Sequence, residues 1–237
     1  MELLIQQLVN GIALGSIYAL IALGYTMVYG TIKLINFAHG DVYMMGAFVG
    51  FYAMNGLGLN IFLSLLLAMV SCAVLGVVIE RVAYKPLRRS TRVAALITAI
   101  GVSFLLENVM SYLFGAEIRP FPSDFGTTNY TLFGNITING KQILIFATTV
   151  ILMALLQFIV HYTKMGKAMR AVAVDEDAAQ LMGIDVDQVI SFTFALGSSL
   201  AGIAGVLVAL YYNTFSATMG IVPGLKAFVA AVLGGIG

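Results

Sequence analysis

The chain has 237 residues, of which 60% are hydrophobic and only 10% charged, with a formal net charge of +1 and a mean hydropathy of +0.99. Soluble domains carry about 25% charged residues, so this composition excludes a soluble fold, and the absence of a basic stripe excludes a nucleic-acid surface. The lone Cys72 excludes internal disulfides and cysteine-based metal sites, and His39 and His161 are too far apart in sequence to form a ligand motif.

The opening MELLIQQLVNG has neither a basic n-region nor a small-residue cleavage site, so the first apolar stretch reads as a retained span. A hydrocarbon core of about 30 Å takes about 20 apolar residues per helix. That ruler predicts spans over residues 3–28, 31–54, 61–83, 93–114, 143–162 and 189–212, followed by an apolar stretch from Gly224. Residues 225–237 are too few to cross and run into a glycine-rich stretch without a cap, so further helices are expected beyond them.

The second span is unusual. If residues 29–41 formed a cytosolic loop, the remaining 42–54 would make a helix of only about 20 Å. Part of 32–41 is therefore expected inside the membrane, although it holds Lys33, Asn36, His39 and Asp41. A charged group near the bilayer centre costs about 2.5–3.5 kcal/mol by insertion scales. Non-helical backbone at that depth survives only against protein or a water-filled cavity. The reading is a helix broken at Gly40-Asp41, with Asn36, Phe37, His39, Gly40 and Asp41 lining a translocation pathway. The competing reading puts the stretch at the cytosolic interface with Lys33 snorkelling. Glu107 and Asn108 interrupt the fourth span, and Glu107 is expected near its external end.

Orientation follows from the basic residues. Arg81, Lys85, Arg88, Arg89 and Arg92 fall in the 80–92 loop and Lys164, Lys167 and Arg170 in the 164–187 segment, against Arg119 and Lys141 on the other side. Both loops are thereby cytosolic and residues 115–142 external. The external segment reads as a small strand-rich flap, with turns at Gly134-Asn135 and Asn139-Gly140. Two sequon matches, at Asn129 and Asn135, are read as chance products of Thr-rich strands.

Residues 164–187 form the only long charged interruption between two spans. Asp175 is an N-cap, Glu176 and Asp177 place negative charge in a first turn, and Gly183 supplies a left-handed stop. The prediction is a cytosolic helix of about two turns. Ile184 would close over its end, and Asp185 with Gln188 would cap the next helix. An isolated helix so short is marginal in water, so Ala178, Ala179, Leu181 and Met182 are expected to offer an apolar face to a partner protein. The competing reading is a plain charged loop. Small residues recur at spacing four, at Gly11/Gly15, Gly46/Gly50 and Gly197/Ala201/Gly205, and mark close helix packing.

The chain holds no G-x-x-x-x-G-K-[ST], no H-E-x-x-H and no G-x-S-x-G, so catalysis is not expected and energy must come from elsewhere. The stretches GTIKLINFAHGDVYMMGAF (30–48), GKAMRAVAVDEDAAQLMGIDVDQVISFTFALGSSLAGIAGVL (166–207) and AVLGGIG (231–237) closely resemble permeases of branched-chain amino-acid ABC importers, and the likeness covers nearly the whole chain. The resemblance implies a single permease domain over 1–237: an all-α, polytopic transmembrane helix bundle with one broken helix, in the bacterial cytoplasmic membrane. It also implies a second, related permease, two cytosolic ATPase subunits and a periplasmic or lipid-anchored amino-acid-binding protein, with ATP bound by the partners and no cofactor here. The stretch Arg170 to Gly183 matches the family's coupling helix. Arg170, Asp175, Glu176, Asp177, Ala178, Ala179, Leu181, Met182 and Gly183 would then meet the ATPase. For a zwitterionic substrate, a half-helix starting after Gly40 would welcome the carboxylate and Asp41 would meet the ammonium group. Permeases for urea and short-chain amides share these motifs. A self-sufficient carrier with a His39, Asp41 and Glu107 proton relay, or a purely structural subunit, are the rival classes.

Overall fold

The computed structural model describes residues 2–88, 90–122, 126, 129–132 and 136–236; Arg89, Gly134, Asn135 and Gly237, used in the sequence reading, lie outside them. In chain order the described elements are α1 (Glu2–Ile32), α2 (His39–Asn55), α3 (Ile61–Ile79), α4 (Arg92–Phe114), β1 (Arg119–Pro120), β2 (Asn129–Leu132) and β3 (Ile136–Asn139). They continue with α5 (Gly140–Tyr162), α6 (Lys164–Val174), α7 (Glu176–Leu181), α8 (Val186–Tyr212), β4 (Thr214–Phe215) and α9 (Ile221–Leu233). A π-helical turn, Glu80–Tyr84, and a 3-10 turn, Lys85–Leu87, prolong α3.

Among the described residues five helical stretches are long and apolar enough to cross a membrane: Leu3–Ile32, Ile61–Leu87, Val93–Phe114, Gly140–Tyr162 and Val186–Tyr212. The predicted second span is the exception. Lys33 takes a left-handed φ of 56° and ends α1, and α2 restarts at His39 with 17 residues, about 25 Å of helix. The break thus covers residues 33–38, upstream of the expected Gly40-Asp41, both of which lie in the first turn of α2.

The bundle is built around α8, whose apolar stretch is buried while α4 and α5 expose most of theirs. It packs on α1, α2 and α3. Apolar side chains gain nothing from leaving lipid, so backbone proximity and dispersion must supply the cohesion. Small residues permit it. Gly197 lies against Gly24 of α1, Gly202 against Gly46 of α2 and against Cys72 of α3, and Gly205 against the Tyr43 carbonyl. A Cβ on Gly50 would stand 2.7 Å from Val206 Cγ2. The Gly11/Gly15 pair differs: nothing within 4 Å faces either position.

The two ends of the bundle are chemically distinct. At one end β2 pairs antiparallel with β3, and β1 pairs antiparallel with β4. Gln6 exchanges two hydrogen bonds with the Thr137 backbone, and Lys141 Nζ donates to Asn213 Oδ1, fastening the flap to α1 and α8. Asn139-Gly140 is a helix start and no hairpin turn. The Asn139 side chain accepts from Lys141 N–H, while Gln142 accepts from Asn139 N–H, a capping box that opens α5 three residues ahead of the predicted span. The opposite end carries the 80–88 turns and α6–α7.

Candidate translocation pathway and coupling site

Asn36, His39 and Asp41 are almost fully buried, although they belong to the break and the first turn of α2. Backbone bonds from His39 N–H to the Asn36 carbonyl and from Asp41 N–H to the Ala38 carbonyl close this turn without a side-chain cap. The His39 ring lies against Gly24 and 4.7 Å from the Tyr25 ring centroid. It leans toward the Ile21 carbonyl, and neither ring nitrogen closes a hydrogen bond among the described residues. His39 therefore packs between α1 and α8, away from Asp41's cavity.

That cavity, about 170 Å³, is lined by Tyr25, Phe37, Gly40, Asp41, Ser103, Phe104, Glu107 and, at the start of α9, Gly220, Ile221 and Gly224. The Asp41 carboxyl is within reach of the Ser103 hydroxyl and faces Glu107. Glu107 is thus not simply an interfacial residue near the external end of α4: it shares a cavity with Asp41. Close approach of α2 and α9 needs glycine, since a Cβ on Gly40 would stand 2.6 Å from the Gly220 carbonyl. Of the expected pathway residues, Phe37, Gly40 and Asp41 reach this cavity. Asn36 points elsewhere, its Oδ1 lying 3.1 Å from the Tyr84 hydroxyl. The positive end of α2 already has Asp41 in its first turn, so a substrate carboxylate has little to gain there. An ammonium group suits two carboxyls and a hydroxyl better.

The 164–187 segment follows its local signals closely. Asp175 accepts from Ala178 N–H at 2.9 Å, and α7 spans Glu176–Leu181. Its end is a full Schellman motif: Ile184 N–H bonds to the Ala179 carbonyl at 3.1 Å and Gly183 N–H to the Gln180 carbonyl at 3.0 Å, with Gly183 at φ 83°. Asp185 then accepts from Gln188 N–H at the start of α8. Two features depart from expectation. Residues 164–174 form a helix of their own, α6, whose Gly166, Met169 and Val172 are buried and whose Arg170 donates to the Val160 carbonyl. The apolar face of α7 is also split: Ala179 is 4% exposed, whereas Leu181 and Met182 are 88% and 83% exposed. Ala179 supports the helix from inside, and Ala178, Leu181 and Met182 project outward with Glu176 and Asp177.

Beside α7 lies an open cavity of about 570 Å³, lined by Lys85, Arg88, Glu176, Asp177, Gln180 and residues 184–187. Lys85 and Arg88 each reach Asp187 at 2.6 Å, and Arg88 also pairs with the wholly buried Glu80. Counting the basic residues of this loop oriented the chain but gave no sign that they bind acids. A lone glutamate opening a basic loop was the available signal.

Residues 7–237 match the family model described as branched-chain amino acid transport system / permease component. The high-affinity branched-chain amino acid transport system permease protein LivH of Escherichia coli (strain K12) is 43% identical over 98% of this chain and 79% of its own length. The corresponding protein BraD of Pseudomonas aeruginosa is 42% identical over 98% of this chain and 80% of its own. A probable branched-chain amino acid transport permease, LivH of Methanocaldococcus jannaschii, is 31% identical over 96% and 73%. No solved structure matches the chain.

Proposed function

The chain belongs to the family of permease components of branched-chain amino acid transport systems, and from that membership we propose that it moves branched-chain amino acids across the bacterial inner membrane as one of two related permeases in a binding-protein-dependent importer. Two cytosolic ATPase subunits supply the energy. A periplasmic or lipid-anchored binding protein delivers the substrate to the flap end. The observation that carries this reading is likeness to LivH and BraD over 98% of the chain. It disfavours both the urea or short-chain amide permease and the self-sufficient carrier.

The division of labour follows from the two ends. Asp175, Glu176, Asp177, Ala178, Leu181 and Met182, presented on the capped helix α7, dock on the ATPase, with Ala179 and Gly183 holding its shape and Arg170 fixing α6 to α5. The substrate passes the cavity beside Phe37, Gly40 and Asp41, where Asp41 and Glu107 receive its ammonium group. Proteoliposomes holding the chain with its second permease and ATPases should take up leucine, isoleucine or valine only with ATP and the binding protein. Uptake by the chain alone under a proton gradient would overturn the reading.

A further inference from the structure

The π-helical turn Glu80–Tyr84 carries two buried polar side chains that hold different partners. Glu80 is fully buried; its Oε2 accepts from the Ser191 hydroxyl of α8 at 2.6 Å, and its Oε1 pairs with Arg88. Arg88 continues to Asp187 at 2.6 Å, two residues beyond the N-cap that ends the coupling segment. Tyr84 is 1% exposed, and its hydroxyl proton is shared between Asn36 Oδ1 at 3.1 Å and the Ile35 carbonyl at 3.3 Å, inside the break between α1 and α2. Its ring packs 5.1 Å from Phe194 of α8.

A charge inside the bilayer boundary is held only where it is paired. A π-helical turn opens the i→i−4 ladder of the helix that carries it. Here one such turn supplies both grips within five residues, one on the base of α8 beside α7 and one on the unwound stretch that leads to Asp41.

We propose that the Glu80–Tyr84 turn is the mechanical connector between the coupling segment and the broken helix, with Glu80 and Tyr84 as positioning residues. This deepens the functional reading above and rests on it. Displacement of α7 moves Asp187 and Ser191 at the start of α8. Glu80 follows through Arg88 and Ser191, and Tyr84, on the same turn, moves the Ile35–Asn36 backbone. Removing either grip breaks the chain of contacts without touching the ATPase surface or the cavity.

The test is hydrogen exchange of the backbone at residues 33–38 in the assembled importer, with and without a non-hydrolysable ATP analogue, for the unaltered chain and for Tyr84→Phe, Ser191→Ala and the double variant. Tyr84→Phe deletes one oxygen and Ser191→Ala one hydroxyl, so neither asks the core to repack; Glu80→Gln is added where it assembles. The unaltered chain should show a nucleotide-dependent change of about fivefold or more in exchange, the lower range of allosteric coupling. Tyr84→Phe should lose most of that change and Ser191→Ala, which leaves the link through Arg88 to Asp187, a smaller part, while the double should lose no more than Tyr84→Phe alone, because the two grips act in series. Leucine uptake per ATP hydrolysed should fall in parallel. A nucleotide response kept in Tyr84→Phe, or losses that multiply in the double variant, would overturn the connector. Absence of leucine, isoleucine and valine uptake by the unaltered importer overturns the functional reading alone, since the exchange measurement does not depend on substrate identity.

Discussion

The His39 ring fills the space that a Cβ on Gly24 would need, with Cε1 only 2.6 Å from where that carbon would stand. The Gly197 carbonyl oxygen of the central helix comes to 2.9 Å from the same point. Two backbones and one imidazole therefore meet with no slack. Gly24→Ala should cost about 1–3 kcal/mol through overpacking, lowering the thermal midpoint of the purified chain in detergent. Gly11→Ala, on the same helix with nothing within 4 Å, is the control. It should be neutral or stabilising by at most about 1 kcal/mol, because alanine leaves the unfolded chain fewer conformations to lose on folding.

Asp41 and Glu107 line one cavity together with Ser103, and Asp41 is the most deeply buried of the three. If the pair receives the substrate ammonium, Asp41→Asn removes a charge-assisted bond of about 1.5–3 kcal/mol. The KM for leucine uptake should then rise about ten- to a hundredfold, with a smaller rise for Glu107→Gln and assembly unchanged in both. Uptake kinetics in proteoliposomes decide it: an unaltered KM in Asp41→Asn removes the ammonium role.

How much of this was legible in the sequence depended on how local each signal was. The cap at Asp175 and the stop at Gly183 are set by hydrogen bonds within a few residues, and both stand where composition put them. The glycines of α8 were legible as packing positions, though spacing alone did not separate Gly197, pressed on Gly24, from Gly15, which faces nothing. The break was legible in its cost and misplaced in register. Gly40 looked like the breaker, whereas it is there to admit Gly220, and Lys33, which has no breaker chemistry, adopts the left-handed turn. The meeting of Asp41 with Glu107, and of Glu80 with Ser191, joins residues far apart in the chain that no periodicity connects.

The exposure of α7 predicts a one-sided crosslinking pattern. Cysteines at Leu181 and Met182, which are 88% and 83% exposed, should crosslink to the ATPase subunit in membranes. A cysteine at Ala179, 4% exposed, should not. Equal crosslinking from all three positions would mean that α7 unfolds from its seat on docking, and none from any would leave it without the proposed partner.

The same helix separates shape from charge. Asp175→Ala removes the bond to Ala178 N–H and should cost the helix about 1 kcal/mol, whereas Glu176→Lys with Asp177→Lys leaves the cap and the Gly183 stop intact and reverses charge on the outward face. Placing cations in a first turn opposes the macrodipole by only about 0.3–1 kcal/mol each, too little to unravel a segment fixed at both ends. Loss of uptake in the double lysine variant is therefore expected to come from the docking surface. ATP hydrolysis by the partner subunits should persist while leucine uptake falls about tenfold or more, as a misplaced charge at an interface costs several kcal/mol. Parallel loss in Asp175→Ala but not in Asp175→Asn, which keeps a capping oxygen without the charge, would shift the explanation from charge to helix stability. Normal uptake in the double lysine variant would remove the acidic face from the coupling contact.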